Sequence, residues 1–415
     1  MTSTRESVVI VGASLAGATV AGTLRDESFE GRITLVGEEP HPPYERPTLS
    51  KGFLRGEEPI EAAHVPEERF YADADIDRRF GVRAERVDAS VRRIDLATGE
   101  RLPFDTLVVA TGGTPRRPPI PGIELRGVHT LRTVDDATQI RNDVFSARRV
   151  VVVGMGFIGS EVTASLRQIG VEVTAIDGAS TPLAGPVGPQ IGRVVERMHR
   201  DHGVRLVLGD TVARFDGADR VERVVTSRGR TLEADVVIVG LGMQPNVSLV
   251  LDTPIRVDDG IVVDAFGRTS VAGIFAAGDV ARHWHPTARR HLRVEHWNNA
   301  VKQGAAVARA IVGAGDAYDP VHFFWSEQYG RELQYYGLHE PWDDVAIRGD
   351  VEGSDFVAIY TQEERVVAAA AIGRSGDLKQ AKRLIAARAL VPRTLLRDED
   401  VRIDALAPPR TGIAA

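Results

Sequence analysis

Two glycine-rich runs carry the first chemistry to be read from this chain. Gly154-Met-Gly156-Phe-Ile-Gly159 follows the apolar run 149–153, opens a helical pattern to about Ile169, and is followed by a strand pattern, Val171 to Ile176, that closes on Asp177. Glycines at this spacing let the backbone approach a pyrophosphate, whose charge the N–H groups and dipole of the helix then hold. A carboxylate about 20 residues on takes the ribose hydroxyls. Asp177 repels a 2′-phosphate, and residues 178–185 offer no Arg or Lys to receive one, so NADH is the expected dinucleotide. Gly12-Ala-Ser14-Leu-Ala16-Gly17 repeats the syntax after the apolar run 7–11; a helical pattern from Leu15 to Leu24 and a strand pattern from Ile33 to Val36 lead to Glu38. Ser14 stands where the middle glycine is usual. Its hydroxyl either sits beside the phosphates of a permanently held cofactor such as FAD, or simply packs in a turn.

A residue type that is missing is as informative. The chain has no cysteine. That excludes a redox-active disulfide, a thiol nucleophile and a cysteine-ligated cluster, so redox chemistry must sit on a bound organic cofactor. No metal site is expected. A net charge of −7 argues against nucleic-acid binding. No apolar run approaches the roughly 20 residues needed to span a bilayer, and the opening MTSTRES lacks a signal peptide's apolar stretch. A cytoplasmic enzyme is the default expectation.

The elements that position these residues repeat. Leu102-Pro-Phe-Asp105 through Gly112 to Pro115 parallels Leu232-Glu-Ala-Asp235 through Gly242 to Pro245, each a buried-type strand running into Gly and then Pro. Each lies well beyond one βαβ unit from its own fingerprint, as a crossing between domains would. At 415 residues the chain exceeds one hydrophobic core. It reads as two related α/β domains, the second inserted into the first. A third, α+β, region follows from about Phe323, with strand patterns at 333–336, 356–360 and 366–372 and a helix near 379–390. The expected boundaries are 1–117 with 245–320, then 118–244, then 321–415.

Pro43-Tyr-Glu-Arg-Pro-Thr-Leu-Ser-Lys51 resembles the PY[DE]RPPLSK stretch of the FAD-dependent, NADH-using ferredoxin reductases that serve aromatic-ring dioxygenases and bacterial haem-thiolate monooxygenases. The resemblance extends over essentially the whole chain. It includes Ala110-Thr111-Gly112, Leu131-Arg-Thr133, Ala277-Gly-Asp279, Trp297-Asn-Asn-Ala300 and Phe324-Trp-Ser-Glu-Gln-Tyr329, the last close to FWSDQY. Thr48 departs from the usual proline, and position 297 varies among such proteins. The resemblance implies a glutathione-reductase-type architecture, two Rossmann-like domains plus the α+β C-terminal domain. It implies FAD contacts from Gly12, Ser14, Ala16, Gly17, Glu38, Arg46, Lys51, Ala84, Thr111, Gly112, Arg132, Asp279 and Trp297. Among these Glu38 takes the adenosine ribose, Asp279 the ribityl hydroxyls and Arg132 the pyrophosphate region. NADH falls to Gly154, Gly156, Ile158, Gly159, Asp177, Gly240 and Gly242.

Lys51 and Glu161 are the expected catalytic residues. A reduced flavin tends towards an anion, and an ammonium near N5 would stabilise it in a dry site. Glu161, just past Gly159, is the partner expected for Lys51. The bland readings are a solvated loop lysine and a carboxylate favoured by a helix N-terminus. Without cysteine the electrons must leave to dioxygen, a quinone or an external carrier, and the resemblance favours a [2Fe–2S] ferredoxin. Ferredoxins are usually acidic, so a basic dock is expected. Arg282 to Arg293 supplies four Arg and three His with no acid, and a second basic stretch carries Lys379, Lys382, Arg383 and Arg388. Arg289, Arg290, Arg293, Lys379 and Lys382 are the docking candidates, against ordinary solvated charge. Trp297 and Trp325 either flank the flavin or fill a core. The competing functions are an NADH oxidase, a rubredoxin reductase, and an NADH-sensing scaffold.

Overall fold

The computed structural model describes residues 6–65, 68–338 and 340–407. The chain divides into two compact units. The first takes the stretch up to Leu49 with Glu58–Arg116 and Gly242–Pro320; the second takes Ser50–Glu57, Arg117–Leu241 and the stretch from Val321.

In the first unit a parallel sheet runs in the order Ile274–Ala276, Thr106–Val109, Ser7–Val11, Arg32–Gly37, Ile76–Phe80. The central strand is Val/Ile throughout after Ser7 because both faces are covered. Val8 and Ile10 face the helices Leu15–Asp26 and Trp297–Ile311, burying Val20, Ala21, Leu24, Val307 and Ala308. Val9 and Val11 face the opposite cluster with Ile94, Leu96, Phe104 and Val250. The two helices touch at small residues: a Cβ on Gly304 would lie 2.8 Å from the Ala16 carbonyl oxygen. The second helix starts at Trp297, where the His296 ring accepts from Asn298 N–H and caps it.

The second unit holds the matching parallel sheet, ordered Arg205–Leu208, Glu172–Asp177, Arg149–Val153, Val236–Val239, Val128–His129. It also holds an antiparallel sheet ordered His322–Gln328, Arg331–Gly337, Arg365–Ile372, Asp355–Gln362, Asp344–Asp350. Its first and last members in that order are additions to the strand patterns readable from sequence. One face of this sheet packs under the helix Ser375–Ala386, burying Leu378, Leu384 and Ile385. That helix ends earlier than the sequence pattern implies, since Arg388 adopts a left-handed φ of 47°. The other face packs on the helix Ala184–Asp201 through Ile191, Val194 and Val195. Gly185-Pro-Val-Gly-Pro189 disguises this helix in the sequence. Gly188, at φ 74°, breaks it where a Cβ would lie 2.6 Å from the Trp342 ring. Among the described residues no helix is long and apolar enough to cross a membrane.

Candidate functional site

Each glycine-rich run folds as a strand–turn–helix junction. In the first unit Gly12 sits at φ 114°, where a Cβ would overlap the Ala110 carbonyl, and a Cβ on Gly17 would overlap the Gly12 carbonyl. Those two glycines seat the helix on the strand. Ser14 is the N-cap of Leu15–Asp26, its side chain makes no capping bond, and no acid stands in the first turn. Its hydroxyl is not spent on the helix. The 277–279 turn closes on this helix start: a Cβ on Gly278 would lie 2.8 Å from Ala16 Cβ, and Gly278 N–H donates to Gln303 Oε1 at 2.8 Å. Trp297 packs against a small cluster that includes Ala16, Ala110 and Ala300. Thr111 is held by reciprocal bonds with Asn246, Oγ1 to its carbonyl at 2.7 Å and the Asn246 amide to the Thr111 carbonyl at 3.0 Å; Gly112 follows at φ 66°.

Arg46 donates to Glu39 Oε1 at 2.5 Å and to Tyr44 Oη at 3.1 Å. Burial works against its charge, but Tyr44, Glu39 and Asp279 outweigh that and push its pKa up. The guanidinium and Asp279 are thus electrostatic neighbours. Glu38 is exposed just past its strand end, 4.0 Å from Arg83, and Ala84 begins the strand Ala84–Asp88 of a separate sheet.

In the second unit a Cβ on Gly159 would overlap the Gly154 carbonyl, and one on Gly154 would overlap the Gly240 carbonyl. Gly156 differs. It is the exposed N-cap of Phe157–Gln168, in extended backbone, and a Cβ there would meet nothing within 4 Å. Ile158 beside it is 43% exposed. Asp177 accepts from Met155 N–H at 2.5 Å and from Ala179 N–H at 2.7 Å, so it ties its own loop to the glycine run. Gly242 belongs to the first unit, at φ 88°, whereas Gly240 belongs to the second. The helix Val134–Ser146 supplies a contrast: Thr133 and Asp136 close a capping box, Asp135 adds charge, and Arg132 N–H donates to Asp136. Neither fingerprint helix has a side-chain cap or a first-turn acid. Two bare helix N-termini, one of them under open space at Gly156, fit two dinucleotide diphosphates.

The residues with reactive side chains meet in the second unit. Glu161 is 4% exposed. Lys51 Nζ and Ser50 Oγ both donate to its Oε2 at 2.6 Å, and Ser326 Oγ donates to Oε1 at 2.9 Å. Lys51 and Glu161 are 110 residues apart in sequence. The 50–57 segment is pinned to the fingerprint helix: Ser165 Oγ donates to the Ser50 carbonyl at 2.6 Å, and Arg55 reaches Ser165 at 3.3 Å. Arg141 lies over the Phe53 ring at 4.9 Å. The ammonium is therefore a half-buried, paired group, not a solvated loop charge.

Ser50, Ser165, Ser326 and Gln328 surround the pair; the sequence motifs contain Ser50, Ser326 and Gln328 but assign them no role. The signal available was alternation: in His322–Gln328 residues 322, 324, 326 and 328 are buried, so Ser326 and Gln328 face inward. Trp325 points the other way and stacks on Phe323 with ring centroids 6.0 Å apart.

The basic stretch Arg282 to Arg293 is less basic in the fold than in the sequence. Arg282 pairs with Asp258; Arg293, 10% exposed, pairs with Glu295 and, at 3.1 Å, with Asp259. His283 and His285 are buried. Acids outside the run, two of them distant in sequence, offset part of its charge, and Arg293 is withdrawn from the surface. Arg289 is exposed and Arg290 half-buried; in the C-terminal helix Lys379 is exposed, while Lys382 lies over the Tyr336 ring at 5.0 Å.

Two parallel sheets, each feeding a glycine turn into a bare helix N-terminus, and a buried Lys–Glu pair beside one of them define an oxidoreductase that binds two dinucleotides. The chain belongs to the pyridine nucleotide-disulphide oxidoreductase family, whose model matches residues 6–304; a reductase C-terminal model matches residues 323–407. It is 37% identical to a ferredoxin–NAD(P)(+) reductase of Sphingomonas sp, over 94% of this chain and 95% of that one. It is also 37% identical to the ferredoxin–NAD(+) reductase component of an anthranilate 1,2-dioxygenase system of Burkholderia cepacia, over 95% and 97%. Among solved structures it resembles the reductase in a covalent putidaredoxin reductase–putidaredoxin complex, with a TM-score of 0.92, 34% identity, and 97% and 98% of the two chains covered. Proteins of this family and its ferredoxin-reducing members use FAD and NAD(P)H.

Proposed function

We propose that the chain is an NADH-dependent reductase that delivers single electrons to a [2Fe–2S] ferredoxin, which in turn feeds a monooxygenase or ring dioxygenase. The carrying observation is a family named for disulphide chemistry in a chain with no cysteine. The fold keeps the hydride half of that chemistry, and the electrons have no internal acceptor. Ferredoxin stands in the names of the relatives, which favours it over dioxygen or rubredoxin.

Bound FAD supplies the conversion from a hydride donor to a one-electron donor. The chain's part is to bind, orient and charge-balance. Residues 1–117 and 245–320 hold FAD: Gly12, Ser14, Ala16 and Gly17 offer the helix N-terminus to its diphosphate, with Thr111 and Gly112 alongside. Glu38 would accept from the adenosine ribose and Asp279 from the ribityl hydroxyls, and Ala84, Arg46, Arg132 and Trp297 would complete the contacts. Residues 118–244 would hold NADH, with Gly154, Gly156 and Gly159 under the diphosphate, Asp177 on the ribose, and Ile158, Gly240 and Gly242 among the contacts. Asp177 also selects NADH over NADPH by charge. Lys51 would supply a positive charge to a reduced flavin, and Glu161 holds that ammonium at 2.6 Å. Residues 321–415 form the C-terminal domain. Arg289 and Arg290, and separately Lys379 and Lys382, are the cationic sites offered to an acidic ferredoxin. We place the enzyme in the cytoplasm, where NADH is supplied.

The test is steady-state reduction of cytochrome c by NADH with and without an added [2Fe–2S] ferredoxin. Strong ferredoxin dependence is expected. Oxygen consumption at the same rate without ferredoxin would make the chain an oxidase, and flavin reduction without turnover would make it a sensor.

A further inference from the structure

Ser326 meets the fingerprint helix from the C-terminal sheet at one atom of consequence, and Gln328 holds Ser326 in turn. Glu161 has two carboxylate oxygens with different partners. Oε2 is taken by Lys51 and Ser50; Oε1 is held by Ser326 Oγ at 2.9 Å. Ser326 is itself held: Gln328 Nε2 donates to its Oγ at 3.2 Å, which leaves the hydroxyl proton for Glu161. Ser326 is 0% exposed and Gln328 2%, so bulk water does not reach this end. The strand carrying both is anchored on the same helix by Phe324, whose ring meets Phe157 with centroids 4.6 Å apart.

The polar line continues away from Glu161. His199, on the helix Ala184–Asp201, lies beside Gln328, and its Nδ1 is 2.9 Å from Tyr329 Oη. Burial, with the neighbouring His202, pushes the His199 pKa down to about 3. His199 is neutral at working pH, so the line is a fixed pin and not a proton switch.

We propose that Ser326, oriented by Gln328, is a positioning residue for the NADH half-reaction: it fixes Glu161 Oε1 so that Oε2 alone faces Lys51, which makes the C-terminal domain part of the nicotinamide-side machinery. This rests on the roles given above to Lys51 and Glu161. A hydrogen bond to an ionised partner decides about a tenfold population difference between the held and the released carboxylate. Loss of the hydroxyl lets Glu161 turn, loosening the Lys51 segment without removing any group that touches cofactor.

The experiment uses FAD-loaded protein with Ser326→Ala, Gln328→Met, Glu161→Gln and the Ser326→Ala/Glu161→Gln double variant. Flavin reduction by saturating NADH is followed in a stopped flow, and amide exchange over residues 50–57 is measured without NADH. Ser326→Ala and Gln328→Met should each slow reduction about tenfold, leave KM for NADH within about twofold, and raise exchange at 50–57 several-fold. In the Glu161→Gln background the Ser326→Ala effect on both readouts should vanish, because the hydroxyl acts through that carboxylate. The proposal is overturned if Ser326→Ala and Gln328→Met match wild type while Glu161→Gln is slow, which leaves the Glu161 role standing. It is overturned too if the Ser326→Ala effect persists undiminished in the double variant, which would make it a packing effect. Wild-type behaviour of Glu161→Gln would remove the role of Glu161 itself, and this inference with it.

Discussion

Alanine at Gly159 and alanine at Gly156 add the same methyl to the same loop, and the methyl lands in opposite places. At Gly159 it overlaps the backbone carbonyl of Gly154, and neither atom is the free end of a flexible side chain. The helix must back away from its strand, an overpacking cost of about 3 kcal/mol. For a chain of this size, at about 2 cal/mol/K of unfolding entropy per residue, that lowers Tm by roughly 3–4 °C. At Gly156 the methyl meets nothing within 4 Å, and the extended backbone there suits any residue. The only internal cost is a poorer N-cap, about 0.5–1 kcal/mol. What the Gly156 methyl obstructs is the approach of an anion to the helix N-terminus, so NADH binding should weaken about 10–100-fold, or about 1.4–2.7 kcal/mol. Calorimetry of the FAD-loaded variants and KM for NADH separate the two. Gly159→Ala melting with wild type would refute the packing argument. Gly156→Ala with an unchanged KM would mean that the diphosphate does not sit at this N-terminus.

Three further outcomes are expected. Arg348→Met should cost about 2–4 kcal/mol and expose the 393–406 stretch to protease: the buried guanidinium donates to the carbonyls of Leu396 and Val401 at 2.6 Å and of Leu395 at 2.7 Å. Unchanged stability and digestion would show that these bonds merely replace water. Asp177→Asn should narrow the NADH-to-NADPH ratio of kcat/KM by tenfold or more, since it removes the charge opposing a 2′-phosphate; an unchanged ratio would assign selection elsewhere. Between pH about 6.5 and about 3 the unfolded chain protonates at His199 and the folded one does not. Stability should therefore fall as pH drops through that window, by at most about 1.4 kcal/mol per unit from this group. Urea midpoints of His199→Gln at pH 7, 6 and 5 should show a shallower loss than wild type, and an equal slope would reject the assignment.

The strand, turn and helix of each fingerprint were legible because their signals are local. Apolar runs covered on both faces, glycines at fixed spacing and a closing acid all lie within one βαβ unit, and the structure returns Ser7–Val11 and Arg149–Val153 at those places. The lack of cysteine, and with it the need for an external electron acceptor, is a property of composition alone. The helix Ala184–Asp201 was hidden by its Gly-Pro start, because what stabilises it is the C-terminal sheet and not its propensity. Charge read along the chain misled at Arg282–Arg293, where Asp258, Asp259 and Glu295 offset part of what the segment alone presents. Lys51 and Glu161 could be named as a pair from the family-like stretch around Lys51 and the place of Glu161 just past Gly159. That Ser50, Lys51 and Ser326 share one buried carboxylate was decided only by tertiary structure, since these residues come from segments far apart in sequence and a hydrogen bond depends on distance in space.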